Sequence, residues 1–399
     1  MKAEKHLLFK QLILFFIILI FCAFPVCAQD SAAIVKSKLH FEISEHIGKA
    51  IANQPSFPPV HAAQFTEFSL LRECNGAELW HQHYNYPVTG ATFIFGTLGN
   101  PNVLGNVAAA LASIQFDGKK EKRFRFRQKI AFGMAYFTQP FDAQSNNSNI
   151  VIGSRFTAIA TLNLACNYTI SNRFALHLGS TYLHASNAHY QLPNLGLNAL
   201  FMNLGISYFP HGANKNYFKA SSLERNKKFH LNVKVGLGIN ERGGTLGPTN
   251  GPKYPIYLAS VFLTKRYANK ALLQIGVEGN YNSGAHDFIV SNDVFSSKEK
   301  LKSTTSIFFL GHEYLWKHLS FVLQGGVYLY NPLYREVLQS QKDISTKEHL
   351  KSWFTTKFGF QYYLFDTYRK FNNQIYIGSY VKANLGQADY WETSLGYCF

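Results

Sequence analysis

A histidine and a serine stand two residues apart in the segment from Thr181 to Asn198, which carries the chain's best candidate for chemistry. On an extended strand, residues i and i+2 lie on the same face about 6.6 Å apart. An imidazole at His184 can therefore reach the hydroxyl of Ser186 and act as its general base. A His-x-Ser triplet also occurs by chance in many strands, so the surrounding elements decide between an activated serine and ordinary strand residues.

Residues 1–28 predict a cleaved export signal. Three lysines, Lys2, Lys5 and Lys10, precede an apolar run that is too short to span a bilayer as a helix. Removal of the signal takes away three lysines and one glutamate, so the net charge changes from +16 to +14. No later stretch is apolar for long enough to form a transmembrane helix.

The composition of the mature chain is typical of a membrane β-barrel. The sequence contains 35 phenylalanines and 23 tyrosines, whereas charged residues make up only 16%. In a barrel, outward apolar residues alternate with inward polar ones, which keeps the overall hydropathy near neutral. The basic net charge is compatible with an anionic lipid surface, and the sequence contains no recognisable nucleic-acid-binding module.

Strand-like runs follow one another from residue 89 to the end of the chain. They are 89–98, 105–117, 124–138, 155–170, 172–187, 195–209, 228–239, 254–267, 271–282, 303–315, 318–330, 351–365, 373–385 and 389–399. Gln64–Tyr84 adds a possible hairpin that turns at Asn75-Gly76, and residues 29–62 are interpreted as a periplasmic lead-in. The sequence predicts an all-β fold, an antiparallel up-and-down barrel over 63–399 with about 14 strands, range 12–16.

The run 124–138 shows how the two faces of this wall differ. One face carries Phe124, Phe126, Ile130, Phe132, Met134 and Tyr136, and the other carries Arg123, Arg125, Arg127, Lys129 and small residues. A soluble sandwich would bury the aromatic face and expose the arginines, whereas a barrel turns the aromatic face to lipid and the arginines into a wet lumen. We therefore interpret the basic row as structural, not as a binding patch.

The last strand indicates the compartment. Trp391, Leu395, Tyr397 and the terminal Phe399 share one face. A chain that stops on an aromatic residue at the end of such a strand resembles the assembly signal of bacterial outer-membrane proteins. We expect a Gram-negative outer membrane, with the barrel assembly machinery as a partner during biogenesis.

The lengths of the connections give the orientation of the strands. If the last strand runs down to the periplasm, the connections alternate between outside and inside, and the long ones lie outside. The outside connections are 99–104, 139–154, 188–194, 240–253, 283–302, 331–350 and 387–388, and the inside turns are 118–123, 171, 210–227, 268–270, 316–317 and 366–372. Only 210–227 breaks this asymmetry. The His184 segment then ends an upward strand at the level of the outer leaflet.

Strand parity predicts that three polar residues converge outside the barrel. His184 and Ser186 share a face with the lipid-facing residues of their run, and Asn198 has the parity of the lipid face on the next run. The lipid-facing residues are Leu176, Leu178 and Tyr182 on the first run and Leu200, Met202 and Leu204 on the second. Polar groups that face lipid are costly unless they have a partner or a function. Alternatively, all three lie above the hydrocarbon band.

His184-Ala-Ser186-Asn187 followed by Pro193-Asn194-x-Gly196 resembles the active-site segment of the outer-membrane lipid A 3-O-deacylases, the PagL family. The match covers about fifteen residues, and elsewhere the likeness is only architectural, because the family's members are small eight-stranded barrels. The resemblance implies that a Ser-His-Glu triad on the barrel exterior removes an ester-linked acyl chain from lipid A.

By motif position, the resemblance makes Ser186 the nucleophile and His184 the general base, with Asn187, Asn194 and Gly196 on the oxyanion and substrate side. The family's glutamate falls at Asn198, where this chain has an amide. An amide can orient an imidazole but stabilises its cation less than a carboxylate does. No aspartate or glutamate occurs between Asp142 and Glu224 to replace it, so a slower esterase and an inactive relative both stay open.

The sequence therefore predicts a serine esterase that removes a 3-hydroxyacyl chain from the lipid A of lipopolysaccharide in the outer leaflet, without a metal or other cofactor. The alternative is a non-catalytic barrel, either a pore or a structural protein. His81 and His83 share a predicted strand face without a third ligand, so we do not predict a metal site there. Cys74, Cys166 and Cys398 are too scattered for a disulfide framework.

Overall fold

The computed structural model describes residues 37–119, 122–213, 217–218, 228–340 and 343–399; the predicted signal at 1–28 lies outside these ranges. The described residues form sixteen antiparallel strands in two closed eight-stranded barrels, which confirms the all-β barrel class. The strands are β1 (Leu39–Ala50), β2 (Ala63–Glu73), β3 (Val88–Thr97), β4 (Asn106–Asp117), β5 (Phe124–Phe137), β6 (Phe156–Thr169), β7 (Phe174–Ser186), β8 (Leu197–Tyr208), β9 (Phe229–Glu241), β10 (Lys253–Ala268), β11 (Ala271–Asn282), β12 (Thr304–Trp316), β13 (Leu319–Tyr330), β14 (Phe354–Tyr363), β15 (Gln374–Asn384) and β16 (Gln387–Cys398).

Short helices lie between some of the strands. They are α1 (Leu79–His83), α2 (Ser283–Ser291), α3 (Glu299–Lys302), α4 (Pro332–Gln339) and α5 (Thr346–Lys351). Among the described residues, no helix is long and apolar enough to cross a membrane.

The prediction of a single barrel over 63–399 differs from the structure. All fourteen predicted runs correspond to strands, but β1 lies inside the segment 29–62 that the sequence analysis interpreted as a lead-in. The hairpin over 64–84 is also wrong, because β2 ends at Glu73 and α1 follows instead of a second strand. Asn75 turns the chain here by accepting a hydrogen bond from the Ala77 N–H at 3.0 Å.

Each barrel closes through pairing of its own first and last strands. In the first barrel, β1 pairs with β2 and also with β8, where Phe41 lies opposite Tyr208. In the second, β9 pairs with β10 and with β16, where Trp391 lies opposite Ile239. Closure leaves no unpaired sheet edge, so the backbone groups of all strands are satisfied within the wall. The connection that breaks the predicted loop asymmetry, 210–227, falls between β8 and β9 and lies mostly outside the described residues.

The predicted faces of β5 are confirmed. Phe124 and Phe126 are 60% and 50% exposed on the outer face, whereas Arg127 and Lys129 are each 2% exposed in the interior. The strand alternates because large apolar residues on one side meet only the outer environment, while small and polar ones fit the narrow interior.

Ion pairs fill the lumen of the first barrel. The Arg127 guanidinium donates to the Glu42 carboxylate at 2.6 Å, and the Lys129 ammonium donates to Glu67 at 2.8 Å. All four side chains are buried. An eight-stranded barrel is only wide enough for side chains to fill it, so these residues neutralise one another inside a closed wall.

The second barrel has a comparable interior. The Lys234 ammonium lies 3.1 Å from Glu392, and the Lys357 ammonium donates to Glu278 at 2.6 Å and also to Glu392. Glu392 therefore links two buried lysines, and both cations lie near the ring of Tyr380.

We expect Glu392→Gln to destabilise the second barrel by about 3 kcal/mol, because it leaves two buried ammonium groups with too little negative charge. The change is measured as a shift in the urea midpoint of unfolding of the protein in detergent micelles. Arg369→Ala is the matched control, since that side chain is 80% exposed and its ion pair with Asp366 contributes little. Equal midpoints for Glu392→Gln and the unchanged protein would contradict the expected role of the pair network.

Candidate active site

The pairing of β7 with β8 brings two of the predicted site residues together. His184 lies directly opposite Asn198 in the β7–β8 register. Ser186 follows on β7, opposite Ala158 of β6. All three polar side chains lie on the outer face and are partly buried. The site therefore stands on the outside of the first barrel, where the wall changes from apolar residues to polar ones.

A hydrogen bond fixes the protonation pattern of His184. Its Nδ1 lies 2.8 Å from Oδ1 of Asn198. An amide oxygen can only accept, so in the neutral imidazole Nδ1 carries the proton and Nε2 is left as the acceptor. This is the tautomer that a general base needs in order to take a proton from a serine hydroxyl.

Asn194 lies beside the serine. Its Nδ2 donates to Ser186 Oγ at 3.0 Å, and its Oδ1 accepts from the backbone N–H of Asn187 at 3.3 Å. Because the oxygen is held by a backbone donor, the amide nitrogen must point at the serine. The side chain of Asn187 has a different partner, since its Nδ2 donates to Ser154 Oγ at 3.2 Å. Asn187 thus orients Asn194 through its backbone.

Gly196 shapes the space between the histidine and the serine. A Cβ at this position would lie 3.7 Å from His184 Cε1 and 3.8 Å from Ser186 Cβ, so both side chains flank the same point. The backbone has a φ of +75°, which favours glycine. Its N–H donates to the carbonyl of Val151 at 3.2 Å. In this structure Gly196 therefore provides space between the two side chains, and its N–H is used within the protein.

The connection between β5 and β6 supports the site from one side. The backbone N–H of Leu195 donates to the Ile150 carbonyl at 3.2 Å, next to the bond made by Gly196. Asn149 is fully buried and holds this connection by donating to the carbonyls of Val103 and Gln139 at 3.0 and 2.6 Å. These contacts could not be predicted from the sequence, because no local pattern marks them and all but the bond to Gln139 join residues more than forty positions apart.

Tyr182 is a further member of the site, although from the sequence we assigned it only to the lipid-facing residues of its strand. Its hydroxyl donates to Oδ1 of Asn198 at 2.6 Å, the same oxygen that faces His184. Strand parity could have identified Tyr182, because it lies two residues from His184 on the same face of β7.

A second serine and histidine lie in hydrogen-bond contact inside the first barrel. Ser44 Oγ is 2.8 Å from His177 Nε2, and His177 Nδ1 is 3.5 Å from Glu42. These residues resemble a catalytic triad, but none of the three side chains is more than 4% exposed. A Cβ at Gly205 would come within 2.4 Å of both Ser44 Oγ and His177 Nε2, so the space beside them is filled by backbone. No substrate ester can reach this serine.

The other described histidines do not form a metal centre. His81 and His83 lie on α1, which corrects their assignment to a strand face. On the outer face of the second barrel, the Nε2 atom of His312 meets the hydroxyl of Tyr267 at 2.5 Å. Within the described ranges, no group of three or more histidine, cysteine, aspartate or glutamate side chains could hold a metal ion.

Comparison with known families gives two adjacent matches. Residues 66–207 match the model described as lipid A 3-O-deacylase (PagL), and residues 226–399 match the model described as acyloxyacyl hydrolase, C-terminal domain. The first match contains the whole site, and each match falls largely on one barrel. A comparison with curated proteins gives no match.

Comparison with solved structures finds matches at low similarity. OccAB3 of Acinetobacter baumannii is 11% identical, with 92% of this chain and 100% of that chain covered and a TM-score of 0.20. The COG4313 outer membrane channel from Pseudomonas putida F1 is 9% identical, with coverages of 93% and 100% and a TM-score of 0.18. Similarity at this level carries no argument about function, and the fold assignment rests on strand pairing.

Proposed function

We propose that this chain is an outer-membrane serine esterase. The premise is that residues 66–207 match the lipid A 3-O-deacylase (PagL) family and residues 226–399 match the acyloxyacyl hydrolase C-terminal domain. These families support a hydrolase of the lipid A deacylase type. The proposed substrate is the lipid A of lipopolysaccharide in the outer leaflet, from which the enzyme removes an ester-linked 3-hydroxyacyl chain.

One observation carries the proposal. On the outer face of the first barrel, a histidine held in the base tautomer by Asn198 stands beside a serine that accepts a hydrogen bond from Asn194. A nucleophile, a base with its orienting group, and an amide donor are the parts that acyl transfer requires. Their position on the outer face suits a substrate whose acyl chains lie in the bilayer beside the barrel.

In the proposed first half-reaction, His184 Nε2 takes the proton of Ser186 Oγ as that oxygen bonds to the ester carbonyl carbon. The Asn194 amide is the proposed donor to the resulting oxyanion. Its nitrogen lies 3.0 Å from Ser186 Oγ, the attacking oxygen, and therefore close to the carbonyl that this oxygen attacks. When the bond to the sugar oxygen breaks, His184 returns the proton to that oxygen.

In the second half-reaction, water attacks the acyl-enzyme. His184 accepts a proton from the water, the bond between the acyl carbon and Ser186 Oγ breaks, and the serine regains its proton. The products are a free 3-hydroxy fatty acid and lipid A with one fewer acyl chain. The residues of the site supply each proton transfer, so this scheme needs no metal or cofactor.

The outer surface supports the proposed membrane location. Below the site, the outer face of β7 and β8 is apolar apart from Ser180, with Leu178 exposed by 58%, Leu200 by 54% and Met202 by 60%. Apolar side chains in such a band face lipid in outer-membrane barrels. We further propose that the barrel assembly machinery inserts the chain, since its described strands form closed antiparallel barrels.

Mass spectrometry of lipid A from Gram-negative cells with and without the protein tests the proposed function. We expect a new lipid A species that has lost one 3-hydroxyacyl chain, together with the free fatty acid. Purified protein incubated with lipid A should give the same products. Lipid A that keeps its full acyl pattern in both experiments contradicts the proposal and favours an inactive relative.

The rival function is a pore. Buried ion pairs occupy both lumens in the described residues, as the pairs Arg127–Glu42 and Lys357–Glu278 illustrate. We therefore expect no steady ion conductance in planar bilayers, whereas a diffusion pore would conduct.

A further inference from the structure

Two side chains of β7 share one acceptor on β8. Tyr182 Oη lies 2.6 Å and His184 Nδ1 lies 2.8 Å from Oδ1 of Asn198. Both donors stand on the outer face two residues apart, so their spacing matches that of one strand face. An amide oxygen has two lone pairs and can accept both bonds at once.

The orientation of this amide decides whether His184 can act as a base. A carboxylate offers an acceptor oxygen on either side, but an amide offers an oxygen on one side and an NH2 group on the other. If the amide were inverted, its NH2 group would face Nδ1, and the imidazole would carry its proton on Nε2. That tautomer cannot accept a proton from Ser186.

The phenol of Tyr182 favours the productive orientation. Its hydroxyl proton is directed at Oδ1 of Asn198. If the amide were inverted, its NH2 group could donate to the phenol oxygen, but the phenol proton would then have no acceptor on Asn198. Across the β7–β8 pair, Tyr182 lies opposite Leu200, which is 54% exposed on the apolar outer face. An unpaired hydroxyl proton on such a face is costly, so the tyrosine biases the amide toward the orientation that His184 needs.

We propose that Tyr182 is a positioning residue that holds the Asn198 amide with its oxygen toward His184. A carboxylate at this position would need no such help, because it presents an oxygen to the histidine in either orientation. This inference rests on the proposed esterase function. Tyr182 acts through Asn198 and does not touch the reacting atoms.

A double-mutant cycle with Tyr182→Phe and Asn198→Glu tests this role. In the parent protein, Tyr182→Phe should lower kcat by about tenfold, the effect of one lost hydrogen bond, with KM little changed. In the Asn198→Glu background, the same change should cost less than about twofold, because a carboxylate presents an oxygen in any orientation. An equal loss in both backgrounds, or no loss in the parent, overturns the proposal.

Tyr208→Phe is the matched control. Tyr208 is also an exposed outer-face tyrosine, at 40%, and lies at the far end of β8. A loss that reflects only membrane anchoring or barrel stability should appear in both tyrosine variants and should mainly raise KM. A kcat loss specific to Tyr182→Phe separates positioning from anchoring.

Histidine nitrogen NMR gives a readout that does not depend on turnover. The full-length protein in micelles should show His184 with its proton on Nδ1, and Tyr182→Phe should show a mixture with the Nε2-protonated form. An unchanged spectrum overturns the positioning role even if the protein proves to be an inactive relative. Conversely, absent lipid A deacylation with the tautomer shift intact contradicts the proposed function alone.

Discussion

Ser186→Ala abolishes release of the 3-hydroxy fatty acid while the barrel stays folded: this is the largest effect that we expect. Without Oγ, no acyl-enzyme can form, and the remaining amide donor and histidine have no nucleophile to assist. Loss of a triad serine lowers kcat by about a thousandfold or more. The measurement is fatty acid release from lipid A by purified protein, with mass spectrometry of both products.

Ser180→Ala is the control for this substitution. Ser180 lies on the same face of β7, six residues before Ser186, and its hydroxyl contacts the sulfur of Met202 at 3.2 Å. Its replacement removes a hydroxyl from the same strand and should leave the rate unchanged. Undiminished activity in Ser186→Ala would remove this residue from the mechanism.

A serine-reactive fluorophosphonate distinguishes the two serine–histidine pairs. It should label Ser186, and the label should disappear in Ser186→Ala. Ser44 should stay unlabelled in the folded protein, because it is only 3% exposed inside the first barrel. A label on Ser44 would mean that substrate reaches the lumen, contrary to the outer-face mechanism.

Asn198→Glu is expected to raise kcat by about tenfold to a hundredfold. The imidazole becomes a cation as it takes the serine proton, and a carboxylate stabilises this cation where an amide only orients it. Two donors are already placed to receive the new carboxylate, the phenol of Tyr182 and Nδ1–H of His184. Initial rates of fatty acid release at several pH values measure the effect.

Asn198→Asp helps to interpret this result, since aspartate keeps the length of the asparagine side chain and changes only its charge. A gain in both variants assigns the effect to charge, and a gain in glutamate alone assigns it to reach. If neither variant is faster than the parent, the amide does not limit the rate. If the parent is inactive and Asn198→Glu is active, the missing carboxylate accounts for the inactivity.

Strand positions were largely predictable from the sequence because the two sides of a barrel wall differ strongly in polarity. The predicted run 271–282 coincides with β11, for example. β1 was missed because its inner face carries charged and polar residues and its outer face is interrupted by Glu45, which accepts a hydrogen bond from Thr66 at 2.6 Å. The pattern of such a strand looks less apolar than that of its neighbours.

The number of barrels could not be predicted in the same way. Closure depends on which strands pair across long sequence separations, such as Phe41 with Tyr208, and periodicity describes only the faces of a single strand. In the candidate site, too, strand periodicity predicts some features, and others depend on contacts between distant parts of the sequence. Parity selected His184, Ser186 and Asn198, whereas the engagement of the Gly196 N–H by Val151 depends on a loop packed from elsewhere in the sequence.

The separate closure of the two barrels has a consequence for how such a chain can arise. Each barrel is closed by pairing of its own first and last strands, so no strand of one barrel forms part of the other. A gene encoding one barrel can therefore gain or lose the other by fusion or deletion at the segment between β8 and β9 without opening a wall. A single sixteen-stranded barrel could not be divided in this way. The residues of the candidate site can then be inherited with the first barrel as one unit.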